Sequence, residues 1–298
     1  MADSSVKPGP GLRAYLDASR TQDRLFADIQ KHVLLKATHS DRRTDVLHPS
    51  EMIKTDWCHR AAAYALTHGP IRPSTTFTRE NIFAEGHNTH AKWQRWLQEM
   101  GRLAGDWHCL SCDLTFWCDR VPTKCLGCTA DAERCIEYAE VPLNAPRLSI
   151  GGKSDGYCPD DGCLVEVKTL GLGSLRFETP GYIDKFEVHA EGRSGYDLAR
   201  MWRGVTRPLP AAWRQGQLYM YLANHFEDLA VDHMLYIYDF KPTQETKSFR
   251  VAYDESASEP LIEAAAVITD CVETGTLPLC SINVVRGCKS CRAYEEKP

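Results

Sequence analysis

The chain has 298 residues, of which 43% are hydrophobic and 25% charged, a globular composition long enough for one large domain or two small ones. Its net charge of −5 excludes a generally basic nucleic-acid coat, although a local basic groove is compatible with it. The segment MADSSVKPGPG lacks the regions of a signal peptide, and no apolar run approaches the roughly 20 residues of a membrane span. We therefore expect an intracellular, cytoplasmic protein with no membrane partner.

The N-terminal part of the sequence predicts a loose tail followed by helices. Residues 1–12 are rich in Pro and Gly, which block regular structure. Helices are predicted over 21–37 with Thr21 as N-cap, from Ser50 past Cys58, and over about 79–100. The third helix has an apolar stripe at spacings of three and four that includes Gly86 and His90. By itself, that stripe favours a core histidine over a metal ligand.

Residues 105–136 differ from what precedes them, because cysteine, glycine and proline replace helical periodicity. Two CxxC knuckles twelve residues apart predict a zinc ribbon with the ligands Cys109, Cys112, Cys125 and Cys128. The metal would replace the core that about 30 residues cannot build. Such a ribbon can contact DNA, dock a protein partner or be purely structural, and the sequence leaves these alternatives open.

The rest of the chain predicts a small sheet flanked by helices. Short apolar runs indicate strands at 136–143, 148–152, 162–168, 231–240 and 247–252. Helical patterns occupy 196–204, 211–225 and 260–274, the last of which Gly275 can terminate. This order indicates an α/β or α+β domain with a small central sheet.

The segment IGGKSDGYCPDDGCLVEVKT contains the most informative chemistry. Asp155 follows one predicted strand, whereas Glu166 and Lys168 lie two apart on the next and share a sheet face. Val165 and Val167 then face the core. Two carboxylates beside a lysine suit Mg²⁺ or Mn²⁺, with the lysine serving a water molecule or neutralising charge in a phosphodiester transition state. A surface salt bridge between Glu166 and Lys168 is the structural alternative.

The spacing of Asp155, ten residues, then Glu166-x-Lys168 resembles the PD-(D/E)XK nuclease superfamily. Gly86 with His90 resembles the GxxxH motif of its RecB-like members, and Gln217 with Tyr221 resembles their QxxxY motif. The segment HPSEMIKTDWCHR resembles the one that opens their iron–sulfur members. The fold expected is therefore α/β, with a small mixed sheet flanked by helices, an inserted zinc ribbon and a terminal iron–sulfur lobe.

The resemblance implies a role for each matching residue. His90, Asp155, Glu166 and the carbonyl of Val167 would bind Mg²⁺ or Mn²⁺. Lys168 would serve the attacking water, and Gln217 and Tyr221 would position Lys168 and the DNA. The segments LGLGSLRFETP and RQGQLYMYL resemble nucleases seen in bacteriophage genomes.

The resemblance also implies a 4Fe–4S cluster on one early and three late cysteines, Cys58, Cys280, Cys288 and Cys291. The C-terminal spacing departs from the family pattern, because seven residues separate Cys280 from Cys288 and no cysteine follows Cys291. Zinc in this site and Cys271 in place of Cys280 are the alternatives. No role is assigned to the cysteines Cys118, Cys135, Cys158, Cys163 and Cys271.

A local excess of positive charge precedes the QxxxY segment. Residues 192–214 contain one acidic residue and five arginines, Arg193, Arg200, Arg203, Arg207 and Arg214. With Trp202 among them, they suit phosphate pairing and base stacking on single-stranded nucleic acid. A solvated helix face with core tryptophans is the alternative.

The sequence thus predicts an exonuclease or end-processing nuclease acting on single-stranded DNA or DNA ends in a bacterial or phage-infected cytoplasm. The predicted segments are a tail (1–12), a helical region (13–104), the ribbon (105–136), a nuclease core (137–256) and a C-terminal helix with cluster cysteines (257–298). A catalytically silent DNA-binding or scaffold protein and a site-specific endonuclease are the alternative functions. Oligomeric state and pathway are not determined by the sequence.

Overall fold

The computed structural model describes residues 24–38, 42–71, 74–190 and 193–296. The predicted tail at 1–12 and the predicted cap Thr21 lie outside these residues. The chain divides into two compact units, one of Met1–Arg42 with Pro73–Glu85 and the other of Arg43–Arg72 with Gly86–Pro298.

The described helices are mostly short. They are α1 (Arg24–Ala37), α2 (Pro49–Met52), α3 (His59–His68), α4 (Phe77–Glu99), α5 (Ala132–Cys135), α6 (Leu172–Glu178), α7 (Leu198–Gly204), α8 (Pro210–Phe226), α9 (Glu259–Glu273) and α10 (Lys289–Glu295). In the first unit, the ring of Phe26 on α1 packs edge-on against Phe77, with centroids 5.8 Å apart. None of the described helices is both long and apolar enough to cross a membrane.

The second unit contains all the described strands. They are β1 (Gly105–Cys109), β2 (Thr115–Cys118), β3 (Ile136–Tyr138), β4 (Val141–Ala145), β5 (Ile150–Ser154), β6 (Gly156–Cys158), β7 (Cys163–Leu170), β8 (Glu187–Ala190), β9 (Arg193–Tyr196), β10 (His233–Phe240) and β11 (Glu245–Ala252).

A four-stranded mixed sheet with the order β11-β10-β7-β6 forms the centre of this unit. Strands β7 and β10 run parallel, whereas β6 and β11 pair antiparallel with their neighbours. Separate antiparallel pairs join β4 to β5 and β8 to β9. The predicted mixed α/β architecture with a small sheet is confirmed.

The central strands β7 and β10 are buried on both faces, because helices cover both sides of the sheet. On one face Val165, Val167 and Ile237 pack against Trp93 and Leu97 of α4. The other face contributes to the main hydrophobic cluster together with residues of α7, α8 and α9. The prediction that Val165 and Val167 face the core is therefore confirmed.

The predicted strand at 136–143 is interrupted. Glu140 has a φ of 71°, in the left-handed region, and separates β3 from β4. Strand β3 pairs with β1, which also pairs with β2, in a three-stranded sheet. The break turns the chain from this small sheet into β4.

Candidate active site

The candidate site is built around the gap between β5 and β6, where Asp155 interrupts the two strands. Its Oδ2 accepts a hydrogen bond from the backbone N–H of Val167 at 2.7 Å. Its Oδ1 lies 2.8 Å from Nδ1 of His90, which α4 supplies. Burial lowers the pKa of His90, but the hydrogen bond to Asp155 and its charge outweigh that effect and raise the pKa overall.

Glu166 and Lys168 lie on one face of β7, as their spacing predicts, and form an ion pair. Lys168 Nζ is 2.6 Å from Glu166 Oε1, and only 3% of Glu166 is exposed. The pKa of Glu166 is raised to about 7, mainly by burial. The negative charge of Asp155 raises it further, whereas the positive charge of Lys168 lowers it. Burial lowers the pKa of Lys168, but the charge and hydrogen bond of Glu166, together with the charges of Asp155 and Glu178, outweigh that effect and raise the pKa overall.

Helix α8 completes the surroundings of Lys168 with Gln215, which was not among the predicted site residues. Lys168 Nζ donates to Gln215 Oε1 at 3.1 Å, and Gln215 Nε2 donates to the hydroxyl of Tyr219 at 3.0 Å. A Cβ at Gly216 would lie 1.8 Å from the hydroxyl of Tyr236, the register partner of Glu166. Glycine at this position therefore lets α8 approach the sheet closely.

The predicted contacts of Gln217 and Tyr221 with Lys168 are wrong. Gln217 donates to the carbonyl of Ala252 at 3.0 Å and accepts from the N–H of Asp254 at 2.8 Å. Tyr221 stacks on His225, with ring centroids 4.3 Å apart. Two residues along a helix correspond to a rotation of about 200°, so these side chains leave the opposite side of α8.

The signal that could have identified the correct pair is in the same segment. RQGQLYMYL contains the QxxxY spacing twice, once at Gln215 with Tyr219 and once at Gln217 with Tyr221. Spacing alone does not distinguish them. The contacts of the two pairs do distinguish them, because only Gln215 and Tyr219 lie on the side of α8 that faces β7.

Two further polar residues of the site were not predicted. Gln94, one turn after His90 on α4, donates to the backbone carbonyl of Asp155 at 3.0 Å. Glu140 immediately precedes Val141, which pairs with Ser154, so Glu140 lies beside Asp155. Burial raises the pKa of Glu140, and the negative charge of Asp155 raises it further. The site therefore contains a third carboxylate.

The donor set at this site suits a hard divalent cation. Asp155 and Glu166 offer carboxylate oxygens, and His90 offers an imidazole nitrogen. The N–H of Val167 points to Asp155, and a strand residue directs its carbonyl toward the same edge as its N–H. His90 and the backbone of Val167 both contact Asp155, whose charge also acts on Glu166. Among the described residues, however, the ligand atoms of His90, Asp155 and Glu166 do not all lie within 4.8 Å of one another.

Two groups of four cysteines have sulfurs close enough to hold a metal ion. One is the predicted ribbon set of Cys109, Cys112, Cys125 and Cys128. The other unites Cys58 with Cys280, Cys288 and Cys291 and is called the terminal cysteine site below. In both, all four sulfurs lie within 4.8 Å of one another.

Among the described residues, the other five cysteines belong to no group of four. Cys158 and Cys163 are free cysteines that lie opposite each other as register partners of β6 and β7. With Asp161 they form a smaller three-residue group. Asp161 also pairs with Arg102 at 2.6 Å. Within the part of the chain that the structure describes, Cys118, Cys135 and Cys271 belong to no such group, so Cys271 does not replace Cys280.

The predicted DNA contacts divide into exposed and structural residues. Trp202 is 3% exposed and stacks on Phe240 with the rings 2° from parallel, so the prediction that it contacts DNA is wrong. Arg214 donates to the carbonyl of Ile53 at 3.2 and 3.0 Å and thereby anchors α8. The exposed side chains are Arg200, Arg203 and Arg207. The side chain of Arg193 lies outside the described part.

Comparison with models of known protein families finds no match, and neither does comparison with curated proteins. Among solved structures, the chain is similar to the exonuclease LHK-Exo in complex with dAMP, with a TM-score of 0.45 and 11% identity over 78% of this chain and 90% of that one.

A second structure, of the alkaline exonuclease LHK-Exo from Laribacter hongkongensis, gives a TM-score of 0.43 and 11% identity over 82% and 93% of the two chains. The crystal structure of SSO0001 gives a TM-score of 0.38 and 10% identity over 85% of this chain and 87% of that one. These similarities assign no family, so the site is interpreted from its own residues.

Proposed function

We propose that this protein is a divalent-metal-dependent deoxyribonuclease of the RecB-like type that hydrolyses phosphodiester bonds at DNA ends or in single-stranded DNA. One observation supports it above all. Asp155, Glu166, Lys168 and His90 come from three separate elements, yet their side chains meet in two direct ion pairs at one sheet edge. A salt bridge alone would not require the imidazole and the second carboxylate.

The proposed mechanism assigns cation binding to His90, Asp155, Glu166 and the carbonyl of Val167. When bound, Mg²⁺ or Mn²⁺ supplies a Lewis acid that activates water and stabilises charge on the phosphodiester. Lys168 then orients the attacking water or neutralises the developing negative charge. Gln215 fixes the lysine ammonium through its amide oxygen, and Tyr219 fixes Gln215.

Substrate binding is assigned to the exposed arginines that precede α8. Arg200, Arg203 and Arg207 place positive charge near the helix that contacts Lys168, and such charge attracts the phosphate backbone. We assign the ribbon to 105–138, which includes Ile136–Tyr138 because they pair with β1, and the nuclease core to 139–256. The ribbon would contact DNA or a protein partner.

A cleavage assay with labelled DNA tests the proposal. Linear single-stranded, linear double-stranded and circular single-stranded DNA are incubated with and without Mn²⁺. We expect metal-dependent cleavage of a linear substrate and none of the circle, because an exonuclease needs an end. Cleavage of the circle would instead indicate an endonuclease, and no cleavage of any substrate would indicate a catalytically silent DNA-binding protein.

Variants connect the activity to the site. Asp155→Asn and Lys168→Ala should each abolish cleavage while circular dichroism remains unchanged. The matched controls Glu245→Gln and Lys54→Ala change exposed residues outside the site and should cleave normally. Full activity in either site variant would disprove the assignment.

A further inference from the structure

The resemblance to iron–sulfur nucleases implies a 4Fe–4S cubane in the terminal cysteine site, and the sulfur positions test that implication. Cys58 Sγ and Cys280 Sγ are 3.6 Å apart. All four sulfurs lie within 4.8 Å of one another. Cys58, Cys280 and Cys291 are at most 3% exposed, so three of the four thiols are shielded from solvent.

These separations distinguish a single ion from a cubane. One tetrahedral Zn²⁺ with bonds of about 2.3 Å places its four sulfurs about 3.8 Å apart. In a 4Fe–4S cluster each thiolate binds a different iron, and the cysteine sulfurs are separated by about 6 Å. The longest separation in the terminal cysteine site therefore falls short of what a cubane requires.

The ribbon set, which the sequence predicts to bind zinc, offers a second group of four cysteines for comparison. Its sulfur pairs Cys109–Cys128 and Cys112–Cys125 are 3.7 and 3.6 Å apart, almost the same as Cys58–Cys280. Two CxxC knuckles are typical of a single tetrahedral ion. Because these sulfur contacts are similar and the sulfurs of each group lie within 4.8 Å of one another, the same kind of ion fits both.

The chain around the terminal cysteine site holds this spacing through contacts that involve no thiolate. The hydroxyl of Ser281 accepts from the N–H of His59 at 3.1 Å and donates to the carbonyl of Trp57 at 3.0 Å. These bonds link the residues next to Cys58 and Cys280. They therefore resist any increase in the backbone separation between the segments that carry Cys58 and Cys280.

A second contact holds α3 and α10 together near Cys291. Tyr64 of α3 stacks on Tyr294 of α10, with ring centroids 5.3 Å apart and planes 12° from parallel. Backbone N–H groups also point at the sulfurs, from Asn283 to Cys280 at 3.3 Å and from Cys288 to Cys291 at 3.2 Å. Such bonds stabilise metal-bound thiolates.

We infer that the terminal cysteine site of this chain binds one tetrahedrally coordinated Zn²⁺ and not a 4Fe–4S cluster. The ion ties α3 to the C-terminal segment. Its function is structural, because four thiolates leave no open coordination position. This inference does not depend on whether the protein cleaves DNA.

Metal analysis of the anaerobically purified full-length protein tests the inference. Zinc, iron and acid-labile sulfide are measured per chain, before and after incubation with ferrous iron and sulfide. We expect zinc in both four-cysteine sites, no sulfide and no absorbance near 400 nm. X-ray absorption at the zinc edge should give a sulfur shell at about 2.3 Å with no neighbouring metal.

Paired variants assign the ions to their sites. Cys58→Ser with Cys288→Ser should lower the zinc content by about one ion per chain, and Cys109→Ser with Cys128→Ser should lower it by the same amount. Iron and sulfide in a cubane ratio would overturn the inference, as would one iron without sulfide. It would also be overturned if zinc content did not fall in the Cys58 variant. Each readout is independent of DNA cleavage.

Discussion

Lys168 donates a hydrogen bond to Gln215, and this contact fixes the ammonium of the proposed site in addition to its ion pair with Glu166. The bond connects the end of β7 to the interior of α8. It explains why a helix distant in sequence belongs to the site. It also distinguishes Gln215 from Gln217, its neighbour in the overlapping motif.

The two glutamines should therefore respond differently to substitution. Gln215→Ala removes the acceptor that orients Lys168, and we expect the cleavage rate to fall about 10- to 100-fold with little change in stability. Gln217→Ala leaves the carbonyl of Ala252 and the N–H of Asp254 unsatisfied, which should cost about 1–3 kcal/mol of unfolding free energy. Single-turnover cleavage and urea unfolding measure the two effects, and equal losses of cleavage in both variants would contradict this division.

Metal affinity should depend on pH through Glu166. In the metal-free protein its pKa is about 7, so below that pH a cation must displace the proton, whereas above it the carboxylate is already ionised. Loss of the Glu166 proton should thus increase the affinity for Mn²⁺ by up to about tenfold per pH unit below pH 7. His90, whose pKa is also raised, adds to this dependence over the pH range in which it loses its own proton. Calorimetry in two buffers with different ionisation enthalpies counts the released protons. A flat profile from pH 5.5 to 8.5 would contradict the expectation.

The exposed arginines should contribute to DNA binding through charge. Replacing Arg200, Arg203 and Arg207 with alanine should weaken single-stranded DNA binding and reduce its logarithmic salt slope by about 2. A control with the same charge change replaces three exposed arginines that lie outside both this segment and the ribbon, Arg147, Arg250 and Arg286. Fluorescence anisotropy across a salt series separates the two variants, and the same slope in both would show that charge position is unimportant.

Trp202 should affect stability and not DNA binding. Trp202→Ala removes a buried ring stacked on Phe240, and such a substitution costs about 3–5 kcal/mol. At temperatures where the variant remains folded, its affinity for single-stranded DNA should equal that of the unmodified protein. Thermal unfolding and anisotropy on the same samples make the comparison. Weaker DNA binding by the folded Trp202→Ala variant would contradict this expectation and indicate that Trp202 contributes to the DNA-binding surface.

Local sequence patterns were sufficient for several parts of the fold. Predicted strands at 162–168 and 231–240 correspond to Cys163–Leu170 and His233–Phe240, because both segments are short and rich in the apolar and β-branched residues typical of buried strands. The helix predicted over 211–225 is observed at Pro210–Phe226. The hairpin β8–β9 and helix α6 were not predicted, because they are short and have weak periodicity.

The sequence by itself determined which side chains could form the site. A period of two places Glu166 and Lys168 on one face of a strand, whatever packs around it. CxxC spacing likewise brings two sulfurs together within each knuckle. These are local properties, because the backbone geometry of a few residues fixes them.

Only the tertiary structure decided which faces meet. It selected Gln215 over Gln217, turned Trp202 into the core, and brought Gln94 and Glu140 to Asp155. It also set the distance between Cys58 and Cys280, on which the choice between one ion and a cubane depends. Such features depend on how a helix rotates and docks, and that is determined by packing between segments far apart in the chain.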